Sequence, residues 1–242
     1  MTETATQTSP GLFARAIGII VSPGSTFQAI VTAPRPFGIL FVVCVALAIA
    51  TAIPFLTEAG QQAMLDVQVR SIEQFTGQPV SNEQYVQMQQ GIRMGAIFGT
   101  VGIFIMVPVI TLLTTALYWA LFNLAFGGTA TFMQVLGVTA HASVISALGA
   151  LLGAAVQVAT GTYSQSGPFN LGPLAVGLAP THPLALLLGG LTVFSVWQAV
   201  VNGIGLAVLY RRPATGIVIV TLVVLIAITA VFTVGPALIF GR

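Results

Sequence analysis

No Asp, Glu, Lys or Arg occurs between Arg93 and Arg211, a stretch of nearly half the chain. A soluble domain of this size carries charge over its whole surface. A charge at mid-depth in lipid costs several kcal/mol, so a long uncharged apolar stretch points to a bilayer as the main solvent. The rest of the composition agrees: 56% of the residues are apolar and 5% are charged. The net charge of +2 rests on seven arginines, and lysine is absent. The longest basic run is Arg211-Arg212, so nothing here suits a nucleic-acid backbone. One cysteine, Cys44, lies in an apolar run and reads as a small apolar filler.

A spanning helix needs about 20 apolar residues. Five segments qualify, at about 37–56, 95–126, 132–159, 183–210 and 216–240. Helices rather than strands follow from run length and from the need to satisfy each backbone group inside its own segment. The expected fold is all-α: a polytopic bundle of five transmembrane helices with short amphipathic interfacial helices. Residues 1–36 read as an amino-terminal interfacial segment and 37–242 as the membrane domain. The first ten residues carry no basic cluster, so the first span is expected to direct insertion without a cleaved signal. Gly127-Gly128-Thr129 and Arg211-Arg212-Pro213 read as tight turns, whereas 57–94 and 161–182 are long connections. Five passes place Arg15, Arg35, Arg211 and Arg212 on one side and Arg70, Arg93 and Arg242 on the other. The positive-inside bias then predicts a cell-membrane protein with a cytoplasmic amino terminus and an outward carboxy terminus.

Before the first span, Leu12, Phe13, Ala16, Ile17 and Ile20 share one helical face with Arg15 off it. Phe27, Ile30 and Val31 repeat the pattern after Pro23-Gly24. Two short helices are expected, lying along the interface or packed under the bundle. In the first long connection, Leu65, Val69 and Ile72 form the stripe of an amphipathic helix that ends by Gly77-Gln78-Pro79. Ser81 and Gln84 then have the spacing of a capping box. A helix starting there runs into the second span and stands above the membrane, with a kink expected at Pro108.

Gly91, Gly95 and Gly99 recur every four residues, with Gly102 on the same face, and Gly149 and Gly153 repeat the spacing. Such faces let helix backbones approach closely in lipid, within the chain or across a homodimer seam. Ser195, Gln198 and Asn202 share a face of the fourth span. They read as a polar path or ligand pocket between helices, or as a bonded network that fixes register. His141 is the one ionisable side chain deep in an apolar run; a proton relay, a metal ligand and a neutral ring bonded to a carbonyl or to the fourth-span amides are its readings. No second ligand lies at helical spacing, and no cofactor motif is present, so neither a metal nor a cofactor is expected. Phosphate-cradling loops, HExxH and GxSxG are missing, and His141 with Ser143 or Ser146 is the sole conceivable hydrolytic set.

The chain resembles the Yip domain family (Ypt/Rab-interacting proteins) in its bacterial branch. The resemblance is carried by Ser22-Pro23, Phe27, Ile30 and Pro34 ahead of the first span. It continues with Gly127-Gly128, the run from Thr131 to Leu136, and Ala140-His141-Ala142. It ends with the run from Trp197 to Leu206. It implies five spans and a cytoplasmic amino terminus. Eukaryotic members are implicated in vesicle traffic, contact prenylated small GTPases and associate with one another; the long acidic region tied to that role is absent here. The resulting expectation is a non-enzymatic scaffold of membrane components, with the bilayer, a second copy or other membrane proteins as partners. A small transporter with a path through His141, Ser195, Gln198 and Asn202 is the alternative. Lipid binding near Arg35 and Arg211-Arg212 is a third reading.

Overall fold

The computed structural model describes residues 11–164, 167–179 and 181–240. Over these residues the chain is all-α, with ten α-helices and no strand. Five helical stretches are long and apolar enough to cross a membrane: Pro36–Leu56, Met94–Ala125, Phe132–Thr160, Val193–Tyr210 and Ala214–Gly235.

Two short helices open the fold, α1 (Leu12–Val21) and α2 (Pro23–Thr32). Pro23 starts α2 at a position where its missing N–H has no intrahelical acceptor to lose. Both helices pack into the bundle: Ile19, Phe27 and Ile30 have no exposed surface and join the main core. Phe13, Ile17 and Val21 remain exposed at four-residue spacing along α1. The pair is therefore buried on one side and presents an apolar strip on another. Arg15 does not project away from the bundle as its sequence position suggests. It is 3% exposed, and its Nη1 donates to the Ala33 carbonyl at 3.2 Å. Burial, and then the charge of Arg35, lower its pKa from the usual arginine value.

Helix α3 (Pro36–Ala52) forms the first span and tightens into a 3-10 turn at Ile53–Leu56. Helix α4 (Glu58–Thr76) follows, capped by Thr57 and closed by Gly77 in the left-handed region at φ 70°. Helix α5 (Asn82–Ala120) begins in the capping box expected at Ser81 and Gln84, and it contains Pro108 without ending there. Its 39 residues give about 58 Å of helix. The stretch before Met94 stands beside α4 beyond the apolar segment. The second span closes in a π-helical turn, Leu121–Ala125.

Helices α6 (Phe132–Ala142) and α7 (Val144–Thr160) make the third span, jointed at Ser143, whose Oγ donates to the Ala140 carbonyl at 2.7 Å. Back-bonding hydroxyls of this kind bend helices in lipid. The segment 183–210, expected as one helix, is two: α8 (Pro183–Gly190), capped by His182, and α9 (Val193–Tyr210). The connection before α8 causes the break. Leu171 N–H donates to the Leu191 carbonyl at 2.8 Å and Val193 N–H to the Phe169 carbonyl at 3.0 Å. Two extended strips thus satisfy one another at the gap. Irregular backbone is tolerated at membrane depth where protein covers it. Helix α10 (Ala214–Phe240) closes the fold and packs along α8 and α9.

Helix α9 lies at the centre. A Cβ on Gly203 would stand 2.6 Å from Val218 Cα of α10, and one on Gly205 would stand 2.9 Å from Phe27 Cζ of α2. Gly203 thus lets the backbones of α9 and α10 approach closely, and Gly205 makes room for the Phe27 ring and the Val138 side chain. Helix α5 sits at the edge: 6% of its best spanning window is buried, against 39% for α9.

Candidate functional site

The four polar positions singled out in the third and fourth spans do not bond to one another among the described residues. Ser195 serves the helix break. Its Oγ accepts from Thr192 N–H at 2.9 Å while the Thr192 hydroxyl accepts from Ser195 N–H at 2.9 Å, a reciprocal cap that starts α9. Gln198, one turn deeper, accepts a short hydrogen bond from the Ser146 hydroxyl of α7. His141 is 1% exposed, and its Nδ1 lies 2.7 Å from the Gly137 carbonyl one turn back. A carbonyl only accepts, so Nδ1 carries the proton and the ring is tied to its own helix. The charge of Arg15 lies within electrostatic reach of this ring. Asn202 is 3% exposed, and its Oδ1 has no hydrogen-bond partner among the described residues. No cluster of three or more His, Cys, Asp or Glu side chains occurs among those residues.

The glycine faces also differ from one another. Gly149 is closed in: a Cβ there would stand 2.7 Å from Phe194 Cβ. Gly153 has ordinary van der Waals room against Pro168, at 3.5 Å. Gly91, Gly95, Gly99 and Gly102 have nothing within 4 Å of the Cβ position. This ridge of α5 is not seated against any described part of the chain.

A second polar set also joins helices, on the face of the second span that the helical spacing of Thr111, Thr115 and Tyr118 marks in the sequence. The Thr115 and Thr139 hydroxyls meet at 2.6 Å between α5 and α6, with both side chains buried. Thr221 Oγ donates to the Ala199 carbonyl at 2.8 Å, joining α10 to α9. These hydroxyls also bond back along their own helices, which leaves no charged group to solvate.

The most elaborate arrangement stands at the amino-terminal end of the bundle, where the second, third, fourth and fifth spans have their ends. Tyr210 donates to Asn123 Oδ1 at 3.0 Å. Asn123 Nδ2 and Trp119 Nε1 both donate to the Ala130 carbonyl, at 2.8 and 3.0 Å. The π turn brings Phe122 against Tyr210, with ring centroids 5.3 Å apart. Gln134 reaches α2 through the Val31 carbonyl at 3.4 Å. Around this lies a cleft of about 700 Å³, bounded by the 127–130 turn, the Arg211-Arg212-Pro213 turn, and an apolar wall that includes Phe122, Ile217 and Val220. A second cleft, of about 460 Å³, opens at the far end beside Ser146, Gly149 and Gly153.

Residues 17–235 match the Yip1 domain, from the middle of α1 to near the end of the fifth span. The chain belongs to the Yip1 domain family. This Yip1-domain chain is similar to membrane protein YknW of Bacillus subtilis (strain 168), with 28% identity over 207 residues, 84% of this chain and 79% of that protein. No solved structure matches it. The family and the five apolar helices together make it a multi-pass membrane protein. Within the Yip1 domain, the quoted runs from Thr131 to Leu136 and from Trp197 to Leu206 supply the core contacts of Val135, Val201 and Leu206.

Proposed function

We infer that this Yip1-domain protein is a non-enzymatic membrane scaffold that holds other membrane components by helix–helix contact. The observation that carries the reading is the open glycine ridge of α5. Glycine in a helix interior costs about 1 kcal/mol relative to alanine. Lipid tails gain nothing specific from such a groove, whereas a second transmembrane helix gains close backbone packing. Gly91, Gly95, Gly99 and Gly102 occupy one face and meet nothing within 4 Å of their Cβ positions among the described residues. The docked helix comes from a second copy or from another membrane protein.

The polar positions support this reading over a conduit. Between the two clefts, the third span carries Val135, Leu136, Val138 and Ile145, each at most 2% exposed, and α9 adds Val201 and Leu206. His141 and Ser195 are engaged within their own segments and Gln198 bonds across to Ser146 of α7, as a structural network requires. The amino terminus lies in the cytoplasm and the carboxy terminus outside. Supporting this, Arg15, Arg35, Arg211 and Arg212 at one end outnumber Arg70 and Arg93 at the other.

The test is crosslinking in native membranes followed by purification. The unmodified protein is expected to retain a partner or a second copy. Gly95→Leu and Gly99→Leu together should abolish that retention while the protein stays folded. Undiminished retention by this variant would refute the reading.

A further inference from the structure

The cleft at the amino-terminal end of the bundle combines features that a bare helix junction does not need. The chain leaves α9 through Arg211 at φ 53°, the one non-glycine residue with positive φ among the described residues. Arg211 N–H bonds to the Val208 carbonyl at 3.4 Å and Arg212 N–H to the Ala207 carbonyl at 3.1 Å. This is the paired closure that a glycine ordinarily makes at a helix end. A residue with a Cβ at that position is strained, and strain of this kind gathers at functional sites. On the facing wall the second span ends in a π turn, another irregularity frequent at such sites.

The charge at this turn is not neutralised by any of the described residues. The Arg211 side chain makes no hydrogen bond or ion pair with the described residues, and Arg212 makes one long contact, Nη2 to the Phe126 carbonyl at 3.5 Å. Both are exposed. The described acids stand at the opposite end. Below the arginines the wall is apolar, formed by Phe122, Leu209, Ile217 and Val220. Trp119 and Tyr210, the aromatic types that collect at headgroup depth, anchor the adjoining loop. The volume falls within the range of ligand pockets, about 300–1,000 Å³.

We propose that this cleft binds the phosphate headgroup of an anionic phospholipid, with Arg211 and Arg212 on the phosphate and the acyl chains along the Ile217–Val220 wall. Guanidinium groups suit phosphate oxygens through paired donors. A lipid rather than a free anion fits because the charged rim continues directly into apolar surface at a span end. The site is independent of the glycine ridge on α5, so the two readings stand or fall separately.

The experiment uses the full chain in neutral detergent. Native mass spectrometry reads retention of dioleoyl phosphatidylglycerol against dioleoyl phosphatidylcholine, and thermal unfolding is followed with each lipid and with inorganic phosphate. The unmodified protein should prefer phosphatidylglycerol by roughly tenfold or more, as expected for two basic groups at an anionic headgroup. Arg211→Gly combined with Arg212→Gln should lose that preference; glycine suits the left-handed position, so folding is kept. Gly216→Phe leaves both arginines in place and fills the cleft from a position with open space at its Cβ. It should lose the preference too. An unchanged preference in the arginine variant would overturn the proposal. An unchanged preference in Gly216→Phe would reduce it to general attraction at a basic surface and overturn the pocket. Stabilisation by inorganic phosphate with none from phosphatidylglycerol would overturn the lipid assignment.

Discussion

The Tyr210 hydroxyl donates to Asn123 Oδ1 at 3.0 Å, tying the last turn of α9 to the π turn that ends the second span. Asn123 passes the restraint on, since its amide donates to the Ala130 carbonyl at 2.8 Å. One side chain thereby fixes three chain segments at the same depth. Gly128 belongs to the arrangement, because a Cβ there would stand 2.9 Å from Asn123 Oδ1 and closer still to the Tyr210 ring.

Tyr210→Phe removes one of these bonds and is expected to lower stability by about 1 kcal/mol. Asn123→Ala removes two and leaves the half-buried Tyr210 hydroxyl without this acceptor, while the Ala130 carbonyl keeps Trp119, so its loss should be larger, about 2 kcal/mol. Unfolding in a mixed detergent series measures both. Faster amide exchange over 127–131 in each variant checks that the loop is what loosens.

Arg211 gives a prediction of opposite sign. Replacing it with glycine relieves the left-handed strain and should leave stability unchanged or raise it by up to about 1 kcal/mol. Arg211→Val places a branched Cβ at φ 53° and should destabilise by about 1–2 kcal/mol. Thermal unfolding of the two variants side by side gives the ranking.

Asn202 carries a buried Oδ1 without a partner among the described residues. An unmatched buried acceptor costs about 1–3 kcal/mol. Asn202→Leu, with the same branched shape, is therefore expected to keep or raise stability, whereas Asn202→Ala should lower it by opening a cavity. A fall on Asn202→Leu as large as that on Asn202→Ala would show that the amide is bonded after all.

The glycines separate into two classes by the same kind of measurement. Gly149→Leu drives a side chain into Phe194 and should destabilise by several kcal/mol. Gly95→Leu meets open space and should leave unfolding unchanged or slightly raise its midpoint.

Local signals in the sequence translated directly into structure. The Ser81–Gln84 capping box, the Gly77 helix stop and the run lengths of the spans depend on neighbouring residues alone. What depended on distant partners did not translate. The break before α9 is made by residues 169–171, some twenty positions upstream, although Thr192 and Ser195 carried the spacing of a cap. Arg15 looked like the solvated side of an amphipathic helix and is buried against Ala33, because α2 folds back over it. The shared face of Ser195, Gln198 and Asn202 was legible, but their partners were not. A helical period shows which residues lie together and says nothing of what faces them. For the same reason two glycine faces with identical spacing, in α5 and α7, have opposite surroundings.

The scaffold reading is tested most directly by cysteine crosslinking along α5 in native membranes. The background is Cys44→Ala, and single cysteines replace Gly95, Gly99 and, on the opposite exposed face, Ile97. The account predicts efficient crosslinks to a partner or a second copy from positions 95 and 99, and none from 97. Equal yields at all three positions, or none at any, would contradict it.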